Sequence, residues 1–134
     1  MPQLPPGDVT VVLRTEFTDE GGWESVCAAL EAASPDGAFQ DGVRFVSDPA
    51  FDGAAGAVLV ALTRDSDEHP YLYAVDRVTL SSFDLPVLVV DESGRSFRVV
   101  PAQFWTVEAN LARAAVDFEE FADAADDDGV FRGF

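Results

Sequence analysis

Residues with reactive side chains are scarce in this 134-residue chain, which has no lysine, one cysteine and one histidine. The absence of lysine argues against a phosphoaspartate receiver, which needs one. The single cysteine, Cys27, excludes an intramolecular disulfide and a cysteine-based zinc site, and its place on an apolar helical face predicts a buried, inert thiol. The single histidine, His69, precedes Pro70 in a polar stretch, which predicts a surface loop rather than a catalytic triad.

Positive charge is also scarce, since eight arginines stand against 25 acidic residues and the formal net charge is −17. Binding phosphates requires a surface rich in lysine and arginine, so the composition argues against nucleic acid and equally against anionic membranes as partners. It is compatible with a basic protein partner, or with solubility alone. The lack of lysine and the bias toward Ala, Val, Gly and Asp suggest a high-GC bacterial genome. The oligomeric state stays open.

Long apolar runs are missing as well. The amino-terminal MPQLPPGD has no basic segment followed by an apolar run, so we expect no signal peptide. No apolar stretch approaches the roughly 18–20 residues that a membrane span requires. We therefore expect a cytoplasmic protein.

Apolar residues are nevertheless plentiful, at 48% of the chain with 11 phenylalanines. A chain of this length can bury a core without disulfides or a structural metal. There are no internal repeats and no interior linker. The sequence predicts one globular domain over residues 9–134, preceded by a flexible, Pro-rich arm at residues 1–8.

The first third of the chain predicts two strands around a helix. The β-branched residues of Val9–Glu16 predict a buried strand, and VRFV at Val43–Val46 predicts a shorter one. A helix begins between them at Thr18 or Asp19, either of which can cap it. Its apolar residues fall on one helical face: Trp23, Val26, Cys27 and Leu30.

The middle of the chain predicts a hairpin after an ambiguous segment. Residues 53–62 fit a helix or a strand, and we favour a helix capped by Asp52. Tyr71–Val75 and Pro86–Val90 are predicted strands, and the second is apolar at every position, which indicates cover on both faces. A tight turn joins it to Phe97–Val100 as an antiparallel hairpin.

The last third predicts two helices and an aromatic tail. Pro101 suits a first helical turn, Thr106 can cap the helix that follows, and Asp117 with Glu120 fits a capping box for the final helix. Two residues of the tail are expected to return to the core: Phe131 and Phe134. The whole pattern predicts an α/β (α+β) single domain, with a mixed sheet of about five strands, flanking helices and two C-terminal helices.

The closing run carries the most specific pattern, with WTVEANL, DFEEFA and GVFRGF in residues 105–134. Together with LRTEFTDEGGW at 13–23, RFVSDPAFDG at 44–53 and YAVDRVTL at 73–80, it resembles an uncharacterised family, a domain of unknown function found in small acidic proteins from high-GC bacteria. The resemblance covers nearly the whole chain and implies a shared fold, but no activity or functional residue. A narrower likeness, limited to Asp117–Phe121, links the chain to bacterial immunity proteins that end in an acidic F-E-E-F helix.

Acidic residues follow four of the predicted strands. If those strands ran parallel, their carboxyl ends would meet at the edge where open α/β sheets place their sites. Clustered carboxylates hold Mg²⁺ or act as acid–base pairs, so the candidate metal ligands are Glu16, Asp19, Asp48 and Asp76. Against this, Asp91 ends a hairpin strand of opposite direction, and Asp at strand ends also serves as a turn former or helix cap.

Four residues of the closing run are candidates for an interaction surface: Trp105, Glu108, Asn110 and Arg132. Adjacent aromatic residues cannot share one helical side, so Phe104 and Trp105 predict one ring that is partly exposed. Glu108 and Asn110 suit a polar pocket or interface, although they also suit local backbone capping. Arg132 fits a salt bridge in so acidic a protein, or an anion site.

The sequence has no Cys/His ligand spacing and no glycine phosphate loop, and His69 in its polar loop is not a credible catalytic base, which leaves only carboxylates. The sequence therefore predicts no enzyme and no cofactor. The expected function is an intracellular, non-catalytic protein-binding module, of immunity or inhibitor type, toward a basic protein partner. The alternative is a carboxylate-based metal-dependent enzyme, or a small-ligand-binding protein with its site at the strand ends.

Overall fold

A computed structural model of the protein describes residues 10–33, 43–54, 56–64, 71–112 and 117–133. The strands are β1 (Thr10–Arg14), β2 (Val43–Val46), β3 (Tyr71–Val75), β4 (Val87–Asp91), β5 (Ser96–Val99) and β6 (Val130–Phe131). The helices are α1 (Glu20–Ala32), α2 (Gly56–Arg64), α3 (Arg77–Ser81), α4 (Pro101–Ala112) and α5 (Phe118–Ala124), and a 3-10 turn covers Pro49–Phe51.

One mixed sheet in the order β2-β1-β3-β4-β5-β6 organises the domain. β1 pairs in parallel with both β2 and β3. β4 runs antiparallel to β3 and β5, and β6 pairs in parallel with β5 at the edge. The predicted fold class, an α/β domain with a mixed sheet, is confirmed, and the sheet has six strands rather than about five.

The two faces of the sheet carry separate cores because successive side chains of a strand point to opposite faces. The larger core lies under α1, α4 and α5, and it includes Val12, Tyr73, Phe97, Phe104, Phe121 and Phe131. The smaller core lies under α2 and the 3-10 turn, and it includes Leu13, Phe51, Leu59 and Leu72. β1 and β3 are buried on both faces, which explains the apolar runs VVL in β1 and YLYAV in β3.

Several predicted elements are confirmed in place. Asp19 caps α1, and Trp23, Val26 and Leu30 are buried on one face of that helix. Residues 56–64 form the favoured helix, and Pro101 begins α4. Phe131 is completely buried.

Three predicted caps are wrong. Thr106 caps nothing, because α4 runs without a break from Pro101 to Ala112. Asp117 precedes α5 but its side chain makes no cap hydrogen bond, so the capping box with Glu120 is absent. Asp52 follows the 3-10 turn, and α2 begins only at Gly56, which is too far along the chain for Asp52 to be its N-cap residue.

Two elements, α3 and β6, were not predicted at all. They are five and two residues long, which is too short for a helical or strand period to be visible in the sequence. The predicted arm at residues 1–8, the loop with His69, and Phe134 lie outside the described residues. None of the described helices is long and apolar enough to cross a membrane.

Candidate functional site

The parallel pairing brings three of the four candidate metal ligands to one edge of the sheet. Glu16, Asp48 and Asp76 each follow a strand of the parallel set β1, β2 and β3, so they lie at the edge where these strands end, here called the carboxyl edge. The chain passes from β1 to β2 through α1, and from β2 to β3 through α2 on the opposite face. The strand order therefore reverses at β1 and β3, the position where open α/β sheets bind ligands.

At this edge the carboxylates act first as caps and turn formers. The Asp19 carboxylate accepts a hydrogen bond from Gly22 N at 2.8 Å and begins α1. Asp48 accepts from Ala50 N at 3.0 Å and begins the 3-10 turn. Glu16 accepts from the Thr18 hydroxyl at 2.5 Å and from its amide at 3.2 Å, and these bonds lower the pKa of Glu16.

Asp76 is the most constrained of the four. It caps α3 in a capping box with Thr79, and it binds the Arg98 guanidinium through both oxygens, at 2.9 Å and 2.8 Å. Burial alone would raise the pKa of Asp76, but hydrogen bonds from the Arg98 guanidinium and from the Thr79 backbone N–H lower it. The carboxylate thus stays ionised and ties β5 to the beginning of α3.

A buried arginine, Arg14 at the end of β1, forms hydrogen bonds and a charge contact at the carboxyl edge. The Arg14 Nε donates to Glu16 O at 3.1 Å, and Nη1 donates to the Ser47 hydroxyl at 3.2 Å. Its Nη2 lies 2.7 Å from Glu20 Oε2 without hydrogen-bond alignment, so this is a charge contact only. The guanidinium also lies 4.4 Å from the centre of the Phe17 ring. In the described ranges, no three Asp, Glu, His or Cys side chains converge as metal ligands.

A fully exposed aromatic ring stands on the same edge, between α3 and β4. Phe83 has 104% relative exposure, whereas most other large apolar side chains in the described chain are covered. Its turn, Ser82–Leu85, ends at Leu85 with φ of +51°, a left-handed conformation that costs a leucine about 1–3 kcal/mol. The Thr79 hydroxyl, which donates to Pro86 O at 2.8 Å, holds the far end of the turn.

Arg132 fixes this turn from the C-terminal end of the chain. Its guanidinium contacts Asp84 at 2.8 Å, Asp126 at 2.7 Å and Asp128 at 2.9 Å. Hydrogen bonds to Arg132 are the largest cause of the lowered pKa of Asp128. Arg132 thus forms the salt bridges that the sequence suggested, and three carboxylates surround its guanidinium.

The other predicted interaction residues on α4 are engaged inside the fold. The Trp105 indole N–H donates to Leu30 O at 3.0 Å, and its ring packs edge-on against Phe104 at 5.1 Å. Asn110 donates to Thr106 O at 2.7 Å, one turn back on its own helix. The half-buried Cys27 has a pKa raised by burial to about 12, as expected of an inert thiol.

Glu108 lies at the opposite end of the sheet, where β1 and β3 begin. Its carboxylate accepts hydrogen bonds from the Thr10 hydroxyl and from the Tyr73 hydroxyl, the second at 3.0 Å. The Tyr71 hydroxyl belongs to the same network. Burial raises the pKa of Glu108, and the three hydroxyl groups lower it by less. These four residues are called the Glu108 cluster.

Sequence reasoning missed Phe83 and the hydroxyl partners of Glu108. Phe83 lies in a short, irregular segment, where apolar periodicity carries no information. A signal existed for the tyrosines, since Tyr71 and Tyr73 are two residues apart on a predicted strand and therefore share a face. Their partner on α4 is distant in sequence and depends on how that helix docks.

The sequence profile of a family described as a domain of unknown function (DUF6924) matches residues 9–134. The chain therefore belongs to this family, and the predicted membership of an uncharacterised family is confirmed. A search of curated proteins finds no match. The family description names no activity, so function has to be argued from the residues themselves.

Proposed function

We propose that the protein is a non-catalytic protein-binding module that recognises a basic protein partner in the cytoplasm, in the manner of an immunity or inhibitor protein. The observation that carries this proposal is Phe83, a fully exposed aromatic ring next to Asp84, whose partner Arg132 also binds Asp126 and Asp128. Large aromatic side chains supply the desolvated centre of protein interfaces, and charged residues around them select the partner.

The turn of Phe83 is held in place before any partner arrives. Leu85 keeps its unfavourable φ, and Asp84 is bound by Arg132 from another part of the chain. A preordered anchor loses less conformational entropy on binding than a mobile one, which raises affinity without additional contacts. Trp105, the aromatic residue among the interaction candidates from the sequence, donates its N–H inside the fold, so Phe83 is the anchor in this proposal.

Charge favours a basic partner over other proteins. Asp84, the residue after Phe83, shares the Arg132 guanidinium with Asp126 and Asp128, so three carboxylates face one cation there, and the chain as a whole carries −17. Such a field accelerates association with a basic surface and weakens as salt is added. The affinity itself must come from burial of the Phe83 ring.

The test is a comparison of two alanine variants that each remove one exposed apolar side chain. Phe83→Ala removes the proposed anchor, and the control Val58→Ala removes a 43% exposed side chain on α2, at the smaller core. Proteins retained from a host lysate at low and high salt are identified, and binding of the purified partner is then measured by calorimetry. We expect one basic protein whose affinity falls at least about 30-fold with Phe83→Ala and stays unchanged with Val58→Ala.

Retention of unselective basic proteins, equal binding by both variants, or no retention at low salt would each contradict the proposal. A partner that is not basic, but whose binding depends on Phe83, would contradict only the expected charge of the partner.

One observation favours the alternative of a metal or small-ligand site. Glu16 and Asp76 follow the two strands, β1 and β3, at which the strand order reverses. Calorimetry with Mg²⁺, Mn²⁺ and Ca²⁺ tests it, with Glu16→Gln as the informative variant because Glu16 caps no helix. Micromolar binding that Glu16→Gln abolishes would replace the non-catalytic proposal, whereas absence of heat with all three ions would remove the metal form of this alternative.

A further inference from the structure

The Glu108 cluster is a group of partly buried polar side chains that the proposed function does not use. Glu108 projects from α4 onto the sheet, where it meets Thr10 of β1 and Tyr73 of β3. Tyr73 is completely buried, whereas Thr10, Tyr71 and Glu108 keep some contact with solvent. The cluster therefore joins three elements of the domain and is still open to water.

Every described partner of Glu108 is a neutral hydroxyl group. In the described part of the chain Glu108 takes part in no ion pair. A partly buried carboxylate without a cation is costly when ionised, and it reduces that cost by taking up a proton. We propose that the Glu108 cluster is a proton-binding site, and that uptake of one proton by Glu108 tightens the docking of α4 on β1 and β3.

The hydroxyl groups make both protonation states of the cluster possible. When Glu108 is ionised, Thr10 donates to Oε1 and Tyr73 donates to Oε2. When Oε1 carries the proton, it donates to the Thr10 oxygen, because a hydroxyl group accepts as well as donates. The Tyr73 bond to Oε2 is kept, and the Thr10 hydrogen turns toward water. One hydroxyl rotation thus accompanies one proton, and no heavy atom has to move.

Other titratable groups on the surrounding elements leave Glu108 as the group that responds. On β3, Tyr71 and Tyr73 have pKa values raised by burial and by the Glu108 charge, so both stay neutral over the ordinary pH range. On β4, Asp91 pairs with Tyr71 in register and is bound by Arg95. On α1, which packs against α4, the Cys27 thiol stays protonated and Glu31 is exposed.

The direction of the linkage follows from the sign of the shift. The pKa of Glu108 is raised above its ordinary value of 4.5, so the folded chain keeps this proton at pH values where an unfolded chain has lost it. The stabilisation is fully present below 4.5 and is lost as the pH rises through the raised pKa. α4 is therefore held most tightly in acid and loosens toward alkaline pH.

The experiment follows the carboxyl carbon of Glu108 by NMR during a pH titration of the intact protein, and measures amide exchange of α4 in parallel. We expect a Glu108 midpoint above 4.5, and α4 protection that falls across that midpoint. Glu108→Gln, which keeps the shape and has no charge, should keep α4 protection constant with pH. The matched control Glu24→Gln removes the same charge from an exposed site on α1 and should leave the wild-type pH dependence unchanged.

The Thr10 variants test the hydroxyl switch itself. Thr10→Val removes the donor and should move the Glu108 midpoint further upward, because an ionised acceptor loses more from a missing donor than a neutral one. Thr10→Ser keeps the hydroxyl group and should restore the wild-type midpoint. A Glu108 midpoint at or below 4.5, or equal pH dependence of α4 protection in wild type and Glu108→Gln, overturns the proposal.

Discussion

Two carboxylates at opposite ends of the sheet hold helices in place by opposite means. At the carboxyl edge Asp76 caps α3 and binds the Arg98 guanidinium with both oxygens. At the other end Glu108 fastens α4, and its partners within the described ranges are hydroxyl groups. Burial disfavours the charge of both, and of the two only Asp76 has a cation among the described residues that offsets it.

Both carboxylates are partly buried, so burial does not distinguish them. The charge of the hydrogen-bond partner therefore determines whether the stability of the docked helix rises or falls with pH. The pKa of Asp76 is lowered below 3.8, so its stabilisation is present above that value and is lost as the pH falls through the lowered pKa. The pKa of Glu108 is raised above 4.5, so its stabilisation is lost as the pH rises. The two ends of one sheet therefore respond to pH with opposite signs.

The largest effect is expected when Asp76 is made to resemble Glu108 by removal of its cation. Arg98→Met keeps the stem of the side chain and leaves a partly buried carboxylate unpaired, which should cost about 2–3 kcal/mol of unfolding free energy at pH 7. Urea denaturation measures it. Arg44→Met, at an exposed position on β2, is the control and should change stability by less than about 0.5 kcal/mol. Equal losses in the two variants would show that the Asp76–Arg98 pair stabilises nothing.

A second prediction compares the pH profiles of the two carboxylates directly. Asp76→Asn should cost about 2 kcal/mol at pH 7, because charged hydrogen bonds to Arg98 and Thr79 are replaced by weaker ones. The loss should shrink as the pH falls below 3.8, where the wild-type carboxyl group also takes up a proton. Glu108→Gln should instead match the wild type in acid and be the more stable protein at higher pH. If the stability difference from the wild type changes with pH in the same direction for both variants, the opposite pH responses of Asp76 and Glu108 are refuted.

The two ends of the sheet also differ in how well the sequence predicts them. The caps at the carboxyl edge can be predicted locally, since Asp after a strand and before a helix predicts a cap. The parallel order of β1, β2 and β3 then brings these caps to one edge. The cap role of Asp19 was predicted in this way. What the sequence did not indicate was Arg98, which reaches Asp76 from a strand 22 residues away.

The Glu108 cluster depends on contacts that no local pattern describes. Glu108 and Thr10 are 98 residues apart in the chain, and they meet only because α4 docks on the face that carries the larger core. Phe83 was not predicted because its position depends on a short irregular turn rather than on the docking of a helix. Its exposure comes from a turn defined by the backbone of Leu85 and by Arg132 near the chain end. Neither feature produces a helical or strand period in the sequence.

A smaller loss of stability is expected when one hydroxyl partner of Glu108 is removed. Tyr73→Phe keeps the buried ring, which packs 4.6 Å from Phe104, and deletes one donor to Glu108. We expect a loss of about 1–1.5 kcal/mol that grows as the pH rises, because the ionised carboxylate loses more from a missing donor. Thermal unfolding at a series of pH values measures it. A loss that is constant with pH would mean that Glu108 is neutral throughout, or that Tyr73 acts only through packing.

The smallest effect concerns the second fastening of α4, which involves no charge. The Trp105 N–H reaches Leu30 O, one of the last four carbonyls of α1, which have no partner within their own helix. Trp105→Phe keeps an aromatic ring and removes this bond, so the expected cost is about 1 kcal/mol. Because both partners are neutral, the loss should not vary with pH, unlike that of Tyr73→Phe on the sheet side of the same helix. If the loss does vary with pH, a double variant with Glu108→Gln decides the cause: a pH dependence that disappears in the double variant means that the two fastenings of α4 act as one unit, and that the proton on Glu108 also controls how α4 meets α1.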